Sequence, residues 1–193
     1  VEGVRVFGVS SLAQVVGLLN GELDLEPHPT ADIASMLEQT NAAVDFAEVK
    51  GQESVKRALV VAAAGQHNIV MLGPAGTGKT MMAKALPGIM PTMTPAQAIE
   101  VTRIYSSAGM LDARRGLVTA RPVRTPHHTA SSPAIVGGGV IPRAGEISLA
   151  HHGILFLDEL PEFSRNVLET MRQPMEDHVV TIARSHGTVQ FPA

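Results

Sequence analysis

A chain of 193 residues with 45% hydrophobic content is long enough for one domain of ordinary size with a piece of a second. It holds no cysteine, which excludes disulfides, thiolate catalysis and cysteine-zinc sites, and no apolar run approaches the roughly 18 residues that span a bilayer, so a cytoplasmic location and no membrane partner are expected. The formal charge of −3 argues against a general nucleic-acid binder, yet it is unevenly spread: Arg103, Arg114, Arg115, Arg121, Arg124 and Arg143 face one acid, Asp112, in their segment, and the rest of the chain is acidic.

Aromatic residues are only 3%, so the core must be filled by Val, Leu, Ile, Ala and Met, as in α/β proteins with near-continuous apolar strands. Val4 to Val9 alternates as an edge strand does. Ser11 with Gln14 makes a capping box before Leu12, Val15, Val16 and Leu19 at helical spacing, and Gly21 ends that helix. Residues 22–44 read as a linker with at most one short helix near Ile33 to Gln39. A helix is expected from Ser54 to Ala64, with Val55, Leu59, Ala62 and Ala63 on one face and Gly65 as its stop.

Asn68 to Leu72 is a short apolar run suited to a buried parallel strand, and Met81 to Leu86 favours helix. Between them lies Gly73-Pro74-Ala75-Gly76-Thr77-Gly78-Lys79-Thr80, a glycine, four free positions, then Gly-Lys-Thr. This is a phosphate loop in the strand-loop-helix setting that it requires. Its glycines let successive N–H groups point at phosphate oxygens, Lys79 can reach the β- and γ-phosphates, and Thr80 opens a helix whose positive end attracts anions. Gly73, Pro74, Ala75, Gly76, Thr77, Gly78, Lys79, Thr80 and Met81 are therefore the expected ATP-binding residues.

Thr94-Pro95-Ala96-Gln97 starts another helix, expected to run to about Tyr105. Residues 107–145 are rich in Gly, Pro, Ser and Thr, so small hairpins and turns are expected there. Ile154 to Leu157 reads as a second buried parallel strand that ends in Asp158-Glu159, at the edge where open α/β sheets bind ligands. Ser164 caps a helix with Val167, Leu168 and Met171 that Pro174 stops. Val179 to Arg184 and Thr188 to Phe191, joined at Ser185-His186-Gly187, make a hairpin.

A phosphate loop needs an acidic strand end, because Mg²⁺ on the β- and γ-phosphates is held partly by an Asp and the attacking water must be oriented. Thr80 and Asp158 are expected to hold Mg²⁺, and Glu159 and Lys79 to be catalytic. The pairs His127-His128 and His151-His152 do not suggest a metal site, since adjacent side chains rarely converge on one ion and no thiolate or carboxylate cluster adjoins them. The arginines between Arg103 and Arg143 are either solvated and paired with acids or part of a polyanion-facing loop.

Taken together, Val49 to Gln52, Gly73 to Thr80, Arg121-Pro122-Val123-Arg124-Thr125-Pro126-His127-His128, Gly137 to Gly139, Pro142 to His151 and Leu155 to Phe163 resemble the Mg-chelatase-like AAA+ ATPases of the YifB/ComM competence family. The resemblance implies a three-layer AAA+ core with a parallel sheet over residues 45–193, with residues 1–21 as the tail of a Lon-protease-like domain. It implies self-association into a hexameric ring, DNA as the substrate, and a pore-facing insert and hairpin. It also implies a longer polypeptide, in which the sensor strand, arginine finger and helical lid follow Ala193. Residues 1–193 alone are then expected to be nearly inactive. A chelatase-type subunit acting on a protein partner and a non-catalytic nucleotide-responsive scaffold are the alternative readings.

Overall fold

The computed structural model describes residues 4–29, 32–38, 44–112, 116–139, 142–184 and 187–193. The chain divides into two compact units, Val1–Ile33 and Ala34–Ala193.

The first unit is built on α1 (Leu12–Leu19). Ser11 Oγ accepts the Gln14 N–H at 3.3 Å, but the returning Gln14 carboxamide takes the Ser10 N–H at 2.8 Å, one residue before the expected one. Val4 to Val9 does not form the expected strand. One backbone bond, from the His28 N–H to the Val6 carbonyl at 2.7 Å, is too little for a ladder, and Val4, Val6 and Val9 stay exposed.

The second unit begins within α2 (Ile33–Glu38) and continues through α3 (Glu53–Gly65), α4 (Lys79–Ala85) and α5 (Pro95–Ser107). Thr94 caps α5 by a complete capping box, accepting from Gln97 N–H at 3.3 Å while Gln97 accepts from Thr94 N–H at 3.0 Å. The glycine-rich stretch that follows contains β1 (Val123–Arg124), α6 (Ser132–Val136), β2 (Gly137–Gly138), β3 (Arg143–Ala144) and α7 (Glu146–Leu149), with β2 and β3 antiparallel. Then come β4 (Ile154–Leu155), α8 (Arg165–Thr170), α9 (Arg172–Asp177) and the hairpin β5 (Val179–Arg184) with β6 (Gly187–Pro192), paired from Val179↔Pro192 to Arg184↔Gly187. Ser185 and His186 of the expected turn, and Arg114 and Arg115, lie outside the described residues.

The chain is α/β, and its parallel pair is β1 with β4, in the register Val123↔Ile154 and Arg124↔Leu155. Gly153 makes this possible, because a Cβ there would lie 2.0 Å from the Pro122 carbonyl oxygen, which accepts the Ile154 N–H at 2.8 Å. Ile135, Ile147, Phe163, Val167, Met171, Val180 and Ile182 form one buried cluster beneath this pair and the hairpin. Val49, Leu59, Met82 and Ala85 form another, which seats α4 on α3.

Two further expectations fail. Asn68 to Leu72 has no ladder partner among the described residues and is not buried: Val70 is 71% and Leu72 93% exposed. Met71 packs against the cluster of Val49, Leu59, Met82 and Ala85, but without neighbouring strands the rest of the run stays uncovered, however apolar it is. Pro174 does not stop a helix but sits buried in the first turn of α9, where a missing N–H costs little; the break falls earlier, at Met171.

Candidate nucleotide site

The phosphate loop owes its shape to two left-handed glycines, Gly76 (φ 78°) and Gly78 (φ 82°), the second of which caps α4. Thr77 Oγ1 donates to the Pro74 carbonyl at 2.9 Å and tightens the turn. Lys79 Nζ donates to the Gly73 and Pro74 carbonyls at 2.9 and 2.8 Å, so its ammonium is held against the loop. Ala75 is exposed beside it, and Met81, one residue into the helix beyond Thr80, is exposed as well.

The decisive convergence is at the start of α4. Thr80 Oγ1 donates to Asp158 Oδ2 at 3.1 Å, and the Glu159 N–H donates to Asp158 Oδ1 at 3.1 Å. Each carboxylate oxygen of Asp158 thereby has a donor of its own. Glu159 stands next to it with a left-handed backbone (φ 54°), which turns the chain sharply four residues beyond β4, a strand that ends at Leu155 and not at the expected Leu157. Thr80, Lys84, Thr125, His128, Asp158 and Glu159 are among the residues around a cleft of about 360 Å³. This donor set, a hydroxyl and a carboxylate beside a glycine loop, suits a hard divalent cation with phosphate ligands.

A family model described as magnesium chelatase, subunit ChlI, matches residues 45–193. The chain belongs to this family. Competence protein ComM of Haemophilus influenzae is 46% identical over 191 residues, which cover 98% of this chain and 37% of ComM. An uncharacterized protein YifB of Salmonella typhimurium is 44% identical over 187 residues, 97% of this chain and 36% of its own length. A Holliday junction branch migration complex subunit, RuvB of Bdellovibrio bacteriovorus, is 28% identical over 149 residues, 74% of this chain and 35% of RuvB. The chain thus spans little more than a third of the length of these relatives.

The ChlI-family chain places three further groups at the site that motif spacing did not single out. Gln52 Nε2 donates to the Thr77 carbonyl at 2.8 Å, which ties the loop to the start of α3. Gly51 and Gln52 are both left-handed (φ 66° and 54°), and this paired turn is what aims the carboxamide. His128 Nδ1 lies 3.6 Å from Glu159 Oε2, and its ring meets Phe163 edge-on at 6.4 Å. Lys84, one turn beyond Thr80 on the same helix, borders the cleft.

The basic segment is less available to a polyanion than its composition suggests. Arg124 makes a two-pronged bond to Glu146, Nε to Oε2 at 2.6 Å and Nη2 to Oε1 at 2.8 Å, and this pairing raises its already high pKa. Arg121 donates to the Pro91 carbonyl at 2.7 Å and to the His152 carbonyl, and burial lowers its pKa. Arg103 and Arg143 remain exposed.

Proposed function

We propose that this chain is the ATP-binding and ATP-hydrolysing core of a ring-forming AAA+ motor that works with Mg²⁺ and remodels DNA. The observation that carries the enzymatic part is the Thr80–Asp158 contact, which joins a complete phosphate loop to an acidic strand end.

In this reading Gly76 and Gly78 let the loop N–H groups converge on phosphate oxygens, and Lys79 supplies the charge that offsets the γ-phosphate. Thr80 and Asp158 are the residues to hold Mg²⁺, which supplies charge neutralisation at the β- and γ-phosphates when bound. Glu159, on the wall of the same cleft, orients a water for attack on the γ-phosphorus and takes up its proton as ADP leaves. Lys84 adds a positive charge at the cleft.

The DNA part is supported by the names of two relatives, a competence protein and a branch migration subunit. The internal pairing of Arg121 and Arg124 favours the other reading, a chelatase-type ATPase subunit that acts on a protein partner. A DNA-stimulated ATPase assay on the whole parent protein separates them. Turnover that rises with DNA and disappears in Glu159→Gln is the expected result. Turnover indifferent to DNA leaves the protein-partner reading, and no ATP turnover at all overturns the proposal.

A further inference from the structure

We propose that Glu100, His151 and His152 form a second metal site, for a first-row transition ion such as Zn²⁺, separate from the phosphate loop. Their ligand atoms lie within 4.8 Å of one another, and the three residues are the one such group among the described residues. His152 Nε2 is 2.7 Å and His151 Nε2 3.4 Å from the same oxygen, Glu100 Oε2.

Adjacent side chains normally diverge, and here a specific backbone turn brings them together. His152 is left-handed (φ 56°), which folds the chain back after α7 and sets the two rings 3.9 Å apart at 45°. The turn is fixed by the Gly153 N–H on the Ala150 carbonyl at 2.8 Å and by the Arg121 guanidinium on the His152 carbonyl. Glu100 comes from the middle of α5, a well-capped helix, so all three donors sit on a preformed frame.

The chemistry of the set selects the ion. Two imidazoles and one carboxylate, with a remaining position for water, are a known catalytic zinc set, whereas Mg²⁺ prefers oxygens alone. Ligands bound at about 2.0–2.2 Å in a tetrahedron stand about 3.3 Å apart. The His151–Glu100 pair is already near that spacing, and the His152–Glu100 pair must open by about half an ångström. His151 Nδ1 is buried and has no partner in hydrogen-bond geometry among the described residues, so the ring is held by packing and by its Nε2 contact with Glu100. A bound ion would clamp α5 to the turn that enters β4, the strand leading to Asp158 and Glu159.

The test is a titration of the chelator-stripped full chain with Zn²⁺ alone, and with Co²⁺ as a spectroscopic probe, in wild type, Glu100→Gln and His152→Asn. His152→Asn keeps a hydrogen-bond donor towards Glu100 but removes the ligand nitrogen. One Zn²⁺ per chain, undisturbed by excess Mg²⁺, with affinity about a hundredfold lower in each variant and a tetrahedral Co²⁺ spectrum lost in both, is the expected result. Equal Zn²⁺ affinity in wild type and both variants, or no uptake by wild type, overturns the proposal and leaves a carboxylate bridged by two histidines.

Discussion

Thr80 and Asp158 are joined by a 3.1 Å hydrogen bond across 78 positions of sequence, and the second Asp158 oxygen takes the neighbouring Glu159 N–H. Among the described residues the carboxylate is held by neutral donors, so its charge stays available to a cation. Asp158→Asn retains the shape and removes the charge. It is expected to weaken Mg²⁺-dependent ATP binding by at least about tenfold while Mg²⁺-free binding changes little. Calorimetry with and without Mg²⁺ checks this, and an equal loss in both would move Asp158 out of the cation site.

Lys79 supplies two bonds to the Gly73 and Pro74 carbonyls and the charge closest to the loop. Lys79→Ala is expected to cost about 2 kcal/mol of ATP affinity, the scale of one charge-assisted contact. Unchanged affinity by calorimetry would withdraw the phosphate-loop assignment.

The tight glycine turn before α4, Ser11 as the N-cap of α1, the capping box of α5 and the β5–β6 hairpin were all legible in the sequence, because each is specified by residues within a few positions of one another. The parallel pair was legible only by half. Ile154 and Leu155 read as strand, but Val123-Arg124 is too short to show any period and its pairing depends on a partner about thirty residues on. Asn68 to Leu72 shows the converse, an apolar pattern without a neighbour to complete it. The fates of Arg121 and Arg124 were likewise hidden, since Glu146 and the His152 carbonyl reach them only through the fold.

Gly153 makes a sharp test of the β1–β4 register. A Cβ at this position meets backbone, the Pro122 carbonyl oxygen, and not a flexible side chain. Gly153→Ala is expected to destabilise the chain by about 1–3 kcal/mol, the usual cost of overpacking, and to reduce ATP binding as well because β4 leads to Asp158. Denaturant melts measure the first effect and nucleotide titration the second. A variant as stable as wild type would show that the strands pair differently.

Arg124 and Glu146 are each less than a third exposed and share two bonds, so each protects the other's charge from being buried alone. Glu146→Ala is expected to cost about 2 kcal/mol of stability. Charge reversal at Arg121 or Arg124 should therefore lower the melting temperature before it reports on DNA. Reversal at the exposed Arg103 and Arg143 tests DNA affinity cleanly, and a DNA-binding chain should show a shallower salt dependence with these two changed. An unchanged slope returns them to ordinary solvated surface.

His128 and Glu159 approach to 3.6 Å, too far for a good hydrogen bond and close enough for the ring to limit where the carboxylate can swing. His128 is itself braced by Phe163, which belongs to the buried cluster, so the imidazole is a more fixed object than the exposed glutamate it faces. If Glu159 orients the attacking water, Glu159→Gln should leave ATP affinity nearly intact and lower turnover by about 10²–10⁴, the range for loss of a general base. His128→Ala acts one step removed, through the position of that carboxylate. It should lower kcat by roughly tenfold without changing KM, and His128→Gln, which keeps a polar group in reach, should recover part of the loss. Steady-state ATPase measurements on the whole parent protein read both. Equal losses in kcat and in ATP affinity would mean that His128 shapes the cleft for binding, and an unchanged kcat would mean that the restraint on Glu159 comes from its left-handed backbone alone.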